Sequence, residues 1–495
     1  MFGPRTLPAP PGQKTLQTRV FFHHQARAPR HAPAAALALC LLLPGCLAAP
    51  SAPLAPAAVA AHRAGQSLSR EVATPVLARI APTAAATAMA TYGRWDRLAL
   101  FAFMLANNPD IAAARAAIAS AEAARRASRV RPGPFLSLSG EYAGASPDAS
   151  PWLYGAAIDL PIDSGGRRAS RLRLADLTVV AARYDYAETV WTVRGNLRQG
   201  LLDRLIGEAR RDAAAAILAV RQRQFDAVAR RVAAGAASRA ELERVRADAA
   251  DALHRQADAL TEITAGNAAI AAALGVPVAE VAGQAFSWDT LAAPEPIADV
   301  GAAARDAAVA ARADVLRAAT AYDQAEADLR GEIARQYPAL SVGAGYSWDH
   351  GLVRLPFNLG LTLPPLDGNR SNVRTALARR AEAGTRLEAS VAAAQVAIDS
   401  AVAASLVARA ALDRVRQREL PAAQRLAQQA DNELKAGSID TSEWAAAQAG
   451  ALLARLSELD ALMAVHGADG QLEAALRRPV AGPERAIGPR LEGMQ

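Results

Sequence analysis

At 495 residues the chain exceeds an average single domain, and its alanine-dominated composition, 52% hydrophobic but only 5% aromatic, suits long helices more than a large aromatic core. Its net charge of +7 is carried almost entirely by arginine, Lys14 and Lys435 being the only lysines, and the arginines alternate with Asp and Glu on helix faces, a solvated pattern that speaks against a nucleic acid partner. Two cysteines and seven scattered histidines, with His254, His350 and His466 far apart, offer no disulfide framework and no metal-ligand spacing, so an enzyme is not expected.

The N-terminus reads as an address. Arg27, Arg30 and His31 precede an apolar run over 32–43, too short to span a bilayer but suited to a signal h-region, and Leu43-Pro44-Gly45-Cys46 follows. This resembles a bacterial lipoprotein box, departing from it at Pro44. The resemblance implies a signal over 1–46, lipidation of Cys46 and, because Leu47 rather than Asp follows, sorting to the outer membrane. Secretion with cleavage near Ala48-Ala49 is the alternative. Cys40 lies inside the signal, which leaves Cys46 as the one mature cysteine and its covalent lipid as the one expected prosthetic group. Residues 47–89 are Ala/Pro-rich with little periodicity and read as a tether or poorly ordered lead-in.

Structure is expected to begin near Trp95. The spacing of Leu98, Phe101 and Met104-Leu105 predicts a helix up to Asn107-Asn108-Pro109-Asp110, where a second, Ala-rich helix starts and runs to about Val130. The period then changes: Leu136, Leu138 and Tyr142 alternate with Ser137, Ser139 and Glu141, and Trp152, Tyr154, Ile158 and Leu160 share a face after a turn. A β-hairpin over 134–162 is the result. Beyond it no proline occurs between Pro161 and Pro277, and the one interruption is Ala233 to Ser238. A helix over 167–232 would be about 100 Å long, which points to coiled-coil packing in a helical hairpin over 166–275. Leu242, Val245, Ala249, Ala252, Gln256, Ala259 and Ile263 give the return arm a heptad seam, and Leu218, Phe225 and Val232 repeat every seven residues on the outgoing arm.

All of this then happens again. Residues 109–142 recur at 313–346, an offset of 204: Pro109-Asp110-Ile111 answers Ala313-Asp314-Val315, Ala121-Glu122 answers Ala325-Glu326, Pro134 answers Pro338, and Tyr142 answers Tyr346. Looser matches continue, with Leu160 to Arg167 answering Leu363 to Arg370 and Gly235 with Glu241 answering Gly437 with Glu443. The first repeat occupies 90–300 and the second 301–478, with a hairpin over 338–365, a helical hairpin over 370–476 bent at Pro421, and a tail over 479–495.

Each hairpin has one apolar and one polar face, and the alanine seams are already occupied by their own partners. A signal, a lipid anchor and strands of about nine to eleven residues fit an outer membrane sheet, which must close to satisfy its backbone; four strands per chain fall short of the ~8 in the smallest single-chain barrels. The order of these parts, given twice, resembles the TolC-type outer membrane efflux protein family: Asn108-Pro109-Asp110 opening a helix, Pro134 to Ser139 and Tyr337 to Val342 entering strands, Leu160-Pro161-Ile162-Asp163 with Gly165-Gly166-Arg167 leaving a hairpin, and Ala234-Gly235 with Ser238 and Glu241 at the helix turn. The lipoprotein box resembles the lipid-anchored branch of pump-associated members, and Leu363 to Arg370 is similar to heavy-metal efflux members.

The resemblance implies an α+β membrane protein, a homotrimer whose three chains build a 12-stranded β-barrel continuous with a periplasmic barrel of α-helical coiled coils. Its implied function is passive conduction in a tripartite efflux pump, with a periplasmic adaptor (membrane fusion protein) and a proton-driven inner membrane transporter as partners. A type I protein secretion duct shares the fold, and a lipid-anchored periplasmic coiled-coil scaffold is the rival from another class. The helix turns become adaptor-contact tips, carrying Gly235 and Ser238 in the first repeat and Gly437 and Ser438 in the second. Asp440 and Glu443 become the periplasmic gate candidates, with helix capping as the alternative role of Asp440.

Overall fold

The computed structural model describes residues 52–82, 93–142, 144, 150–163, 166–297, 301–349 and 352–487. Cys46 and the rest of the signal, together with His350 and Gly351, lie outside the described residues. The chain divides into units 1–59 and 60–495. Of the first, residues 52–59 are described and end within helix α1 (Pro56–Ala64), which buries no residue. All later elements belong to the second unit.

Helix α2 (Arg70–Ile80) corrects the reading of 47–89 as a poorly ordered lead-in. Its N-cap Ser69 accepts a hydrogen bond from the Glu71 amide at 3.2 Å, and Ala73, Leu77 and Ile80, spaced by four and three, are buried on one face. Three apolar residues amid alanine and proline make a weak periodic signal, yet they are enough to dock the helix on α3 (Arg97–Asn107). Every residue of α3 from Arg97 to Leu105 is buried, as a helix that is almost wholly apolar requires. Asn108 then serves two ends at once: its Oδ1 accepts from the amides of Asp110 and Ile111 at the start of α4 (Pro109–Ser128), and its Nδ2 donates to the Ala273 carbonyl at 2.9 Å.

Strands β1 (Phe135–Tyr142), β2 (Trp152–Ile162), β3 (Ala339–Asp349), β4 (Leu352–Arg354) and β5 (Phe357–Thr362) form one antiparallel sheet in the order β1-β2-β3, with β4 and β5 both on the far side of β3. The register of β3 against β4 continues unbroken into β5, since Ser347 faces Arg354 and Ala344 faces Phe357. Between them Gly345 donates to the Pro356 carbonyl at 2.8 Å. β4 and β5 are therefore one strand position, interrupted where Pro356 has no amide hydrogen to return to β3. The two hairpins meet along β2 and β3, from Leu153 facing Asp349 to Ile162 facing Leu340.

Helix α5 (Arg167–Ala233) runs 67 residues, and α6 (Arg239–Leu274) returns along it. On the return arm Val245, Ala252, Ala259 and Ile263 are buried, in register with the heptad read from sequence. On the outgoing arm the register is one residue earlier: Ile217 and Gln224 are buried, whereas Leu218 and Phe225 are half-buried. After α7 (Val278–Ala282), the second repeat supplies α8 (Ala302–Ala311), α9 (Ala313–Ala334), α10 (Arg370–Arg414), α11 (Leu420–Ala436) and α12 (Thr441–Leu476). Between α10 and α11, just before Pro421, the helix passes through a π-helical turn, Val415–Glu419, in which the Leu420 amide bonds to the Val415 carbonyl. Widening the turn moves carbonyls clear of the Pro421 ring, which cannot continue the α ladder.

The helical run Arg370–Ala436 contains a stretch long and apolar enough, by length and composition, to cross a membrane. Six of its buried residues, Ala394, Ile398, Ala401, Ser405, Ala408 and Leu412, are spaced alternately by four and three. That is a coiled-coil seam, and its apolar character is mostly alanine.

The expectation of a tail over 479–495 is corrected as far as 487. A 3₁₀ turn (Pro483–Ala486) returns Glu484 and Ile487 to the core. Glu484 Oε2 accepts from Arg194 Nε at 2.6 Å, Glu484 Oε1 lies 3.3 Å from Arg97 Nη2, Arg194 Nη2 donates to Glu473 at 2.9 Å, and Arg198 Nε sits 3.4 Å from Glu473. The Trp288 ring lies beneath Arg97 and Arg198, 4.5 Å and 5.1 Å from centroid to guanidinium carbon. Burial raises the Glu484 pKa, but Arg194 and Arg97 more than reverse it, so the carboxyl is held below its ordinary value. Arg198 is lowered to about 10, by burial first and then by its cationic neighbours against the pull of Glu473.

Candidate functional site

Two regions place chemistry-bearing residues where the fold itself does not explain them: the faces of the sheet and the tips of the helical hairpins. In an antiparallel ladder, paired residues share a face. Leu136 pairs with Ile158, Tyr142 with Trp152, Tyr154 with Trp348, Leu160 with Val342, Ile162 with Leu340, and Val342 with Leu359. One face is thus continuous and apolar across both repeats. Its side chains are largely exposed, including Leu138, Ile158, Leu160, Phe357, Leu359 and Leu361. An exposed apolar area of this extent marks a surface meant for something other than water. At its turn end the aromatics gather, Tyr142 against Trp152 at 4.9 Å between centroids and Tyr154 stacked on Trp348 at 5.1 Å. Aromatic belts of this kind sit at a membrane–water boundary.

The opposite face carries Ser137, Ser139, Glu141, Gly155, Ala157, Asp159, Ser341, Gly343, Gly345, Ser347 and Asp349. Apart from Phe135, Leu153, Pro161 and Leu352 near the strand ends it is polar, small and acidic, with Arg354 in an ion pair to Asp349 at 2.5 Å. Among the described residues, neither face meets a covering layer of helices, as a soluble α+β sheet would.

At the tips, Gly235 (φ +70°) and Gly437 (φ +75°) hold left-handed conformations that end α5 and α11. In both, a backbone amide one residue past the glycine reaches back to close the helix, Ala236 to the Arg231 carbonyl at 2.7 Å and Ser438 to the Glu433 carbonyl at 2.9 Å. Ser238 caps α6 by accepting from the Glu241 amide at 3.1 Å. Asp440 caps α12, accepting from Ser442 and Glu443 at 2.8 Å and 2.9 Å, and Glu443 completes a capping box by accepting from the Asp440 amide.

The gate candidates are therefore caps, but Asp440 has a second partner. Arg231 Nη1 donates to Asp440 Oδ2 at 2.8 Å and lies 3.9 Å from Glu241, joining the tip of the first repeat to that of the second. No sequence signal pointed to Arg231, which stands 209 positions away. Behind the second tip, Trp444 and Gln448 both donate to Asp431, at 2.6 Å and 2.9 Å, and brace the start of α12 against α11. His466 belongs to the core: it contacts Trp288, and its Nε2 is 2.8 Å from the Leu291 carbonyl. Burial lowers its pKa to about 4, so the ring is neutral near pH 7.

A two-faced sheet without cover, joined to paired long helices whose tips are tied together, defines a membrane-sheet and coiled-helix protein built from two repeats. The outer membrane efflux protein family model matches residues 102–276 and 304–477, and the chain belongs to that family. It is similar to the cobalt-zinc-cadmium resistance protein CzcC of Cupriavidus metallidurans, 27% identical over 276 residues that make up 55% of this chain and 63% of that protein. Among solved structures it resembles a membrane protein from Pseudomonas aeruginosa, at 22% identity and a TM-score of 0.65 over 76% of this chain and 89% of that one. It also resembles the outer membrane protein VceC of Vibrio cholerae, at 17% identity and a TM-score of 0.62 over 76% and 95%.

Proposed function

We propose that the chain is the outer membrane channel of a tripartite efflux pump, a homotrimer conducting substrates passively from a periplasmic adaptor and an inner membrane transporter to the outside. The observation that carries this is the open sheet. β1 and the β4/β5 strand are edges, each with a row of backbone donors and acceptors unpaired among the described residues. Bilayer does not tolerate such edges. Alternation of direction makes β1 antiparallel to the β4/β5 strand of a neighbouring copy, and three copies of four strand positions close a 12-stranded barrel. Pro356 is compatible with this, because its missing amide hydrogen would have faced β3 and the outward edge is spared. The apolar face would then meet lipid and the acidic face would line a water-filled lumen. A periplasmic scaffold has no use for two such faces.

The tips supply a gate in this reading. Three Asp440–Arg231 ties and three Glu443 carboxylates would surround the narrow periplasmic end, and the exposed turns at Gly235, Ser238, Gly437 and Ser438 would meet the adaptor. Purified protein in a planar bilayer should give stepwise currents, and the double substitution Asp440→Ala with Glu443→Ala should raise open probability or shift cation selectivity. Wild-type currents in the variant remove the gate; absence of any conductance, with a soluble dimer in its place, removes the channel.

Lipid anchoring at Cys46 is part of the same proposal and rests on Leu43-Pro44-Gly45-Cys46. Cells fed labelled palmitate should incorporate it into the wild-type chain and not into Cys46→Ser. Equal labelling of the two would rule the anchor out.

A further inference from the structure

We infer that a basic collar at the helical end of the first hairpin binds the phosphates of anionic glycerophospholipids in the periplasmic leaflet. Arg125 and Arg126 in the last turn of α4 and Arg129 and Arg131 in the link to β1 fall within seven residues, and no Asp or Glu occurs from 123 to 140. The start of α5 lies against this segment: Arg168 Nη2 donates to the Arg129 carbonyl at 3.4 Å, and Arg171 Nε donates to the Ser128 carbonyl at 3.3 Å. Arg171 is neutralised by Asp163 at 2.8 Å. Arg125, Arg126, Arg129, Arg131 and Arg168 have no carboxylate within salt-bridge distance among the described residues, and Arg125 Nε and Arg168 Nε are buried without an acceptor.

The second repeat makes the same helix-to-strand passage without this excess. At the offset of 204, Arg126 corresponds to Arg330 and Arg131 to Arg335, while Ser128 becomes Glu332 and Arg129 becomes Ile333. Arg330 pairs with Glu326 at 3.2 Å and Arg335 pairs with Glu332, so that turn is internally neutral. Folding the turn therefore does not require free arginines. Their neighbours indicate depth: Val130 is well exposed, and the apolar face of β1 begins at Leu136 and continues at Leu138, both exposed. Guanidinium groups beside exposed apolar side chains, at the border of a lipid-facing strand, fit a phosphodiester headgroup with its acyl chains directed along the sheet.

The inference rests on the channel reading, which fixes this border as the periplasmic one, and the test separates the two. Detergent-purified wild-type trimer mixed with equal phosphatidylglycerol and phosphatidylcholine should retain the anionic lipid in native mass spectrometry. Replacing Arg126, Arg129 and Arg131 together by Gln should cut that retention at least about tenfold, while Arg330→Gln with Arg335→Gln leaves it unchanged. Bilayer conductance of all three proteins reports on the channel independently. Retention of both lipids alike by wild type, no loss in the triple variant, or equal loss in the second-repeat control overturns the collar. If the triple variant does not assemble, the single substitutions Arg126→Gln and Arg131→Gln read the same loss in smaller steps, and no loss in either overturns it as well.

Discussion

Glu484→Gln is expected to destabilise the protein by about 3–5 kcal/mol, the range for removing one partner of a buried ionic network. The cluster holds three guanidinium groups, Arg97, Arg194 and Arg198, against two carboxylates, Glu473 and Glu484, with the Trp288 ring offsetting part of the excess. Neutralising Glu484 leaves one carboxylate for three cations, all of them more than nine-tenths buried. The amide retains the shape of the side chain, so the loss is electrostatic. It should appear as a lower melting temperature of the assembled form in detergent, followed by circular dichroism at 222 nm. Arg194→Met should be comparably destabilising, and the double variant should recover part of the sum, because the two residues are directly coupled.

The pH dependence follows from the sign of the shift. The folded-state pKa of Glu484 lies below its unfolded value, near 4.3 for a free glutamate. Its contribution is therefore complete above the unfolded pKa and is lost as pH falls through the folded one. Wild type should lose stability in that acid range, and Glu484→Gln should lose less over the same range. Equal melting temperatures at neutral pH would show that the charge contributes nothing.

Much of this architecture could be read in the sequence because its signals are local. Period-two alternation in Leu136, Leu138 and Tyr142 identifies a strand and its face without reference to any other part of the chain, and the ladder confirmed that these faces align across both repeats. The return-arm seam was legible because α6 packs chiefly on a single partner. The outgoing arm was not, since α5 meets α4, α6, α9 and α12 along its length and its apolar stripe wanders with them. The signal in Leu218 and Phe225 is real periodicity, one residue removed from the buried row.

What remained illegible depends on distant partners. Glu484 reads as a tail residue until Arg97 and Arg194 from other elements pair with it, and Asp440 reads as a cap until Arg231 arrives across the tips. Helix α2 has three buried residues in a background of alanine and proline, too few for a pattern to stand out. Glycine misleads in the same way. In the middle of a helix it is unfavourable by propensity, and only the neighbouring helix reveals why it is there.

Gly266→Val shows how large that reason is, with an expected loss of about 3 kcal/mol and failure of the two arms to seat. A Cβ at Gly266 would lie 2.7 Å from the Arg204 amide nitrogen and 2.9 Å from the Gly200 carbonyl oxygen, both backbone atoms of α5 that cannot rotate away. Gly200 faces back across the same crossing, where a Cβ would stand 2.8 Å from Ala269 Cβ. Helix propensity argues the other way, since leaving glycine gains up to about 1 kcal/mol in a free helix. Backbone overlap is the larger effect, so even Gly266→Ala should be destabilising. Gly450, on the exposed side of α12 with nothing within 4 Å, isolates the propensity effect, and Gly450→Ala should be neutral or slightly stabilising. A Gly266→Val protein that melts with wild type would mean that α5 and α6 can separate at this point without cost, and the close crossing would then not be what holds the helical wall together.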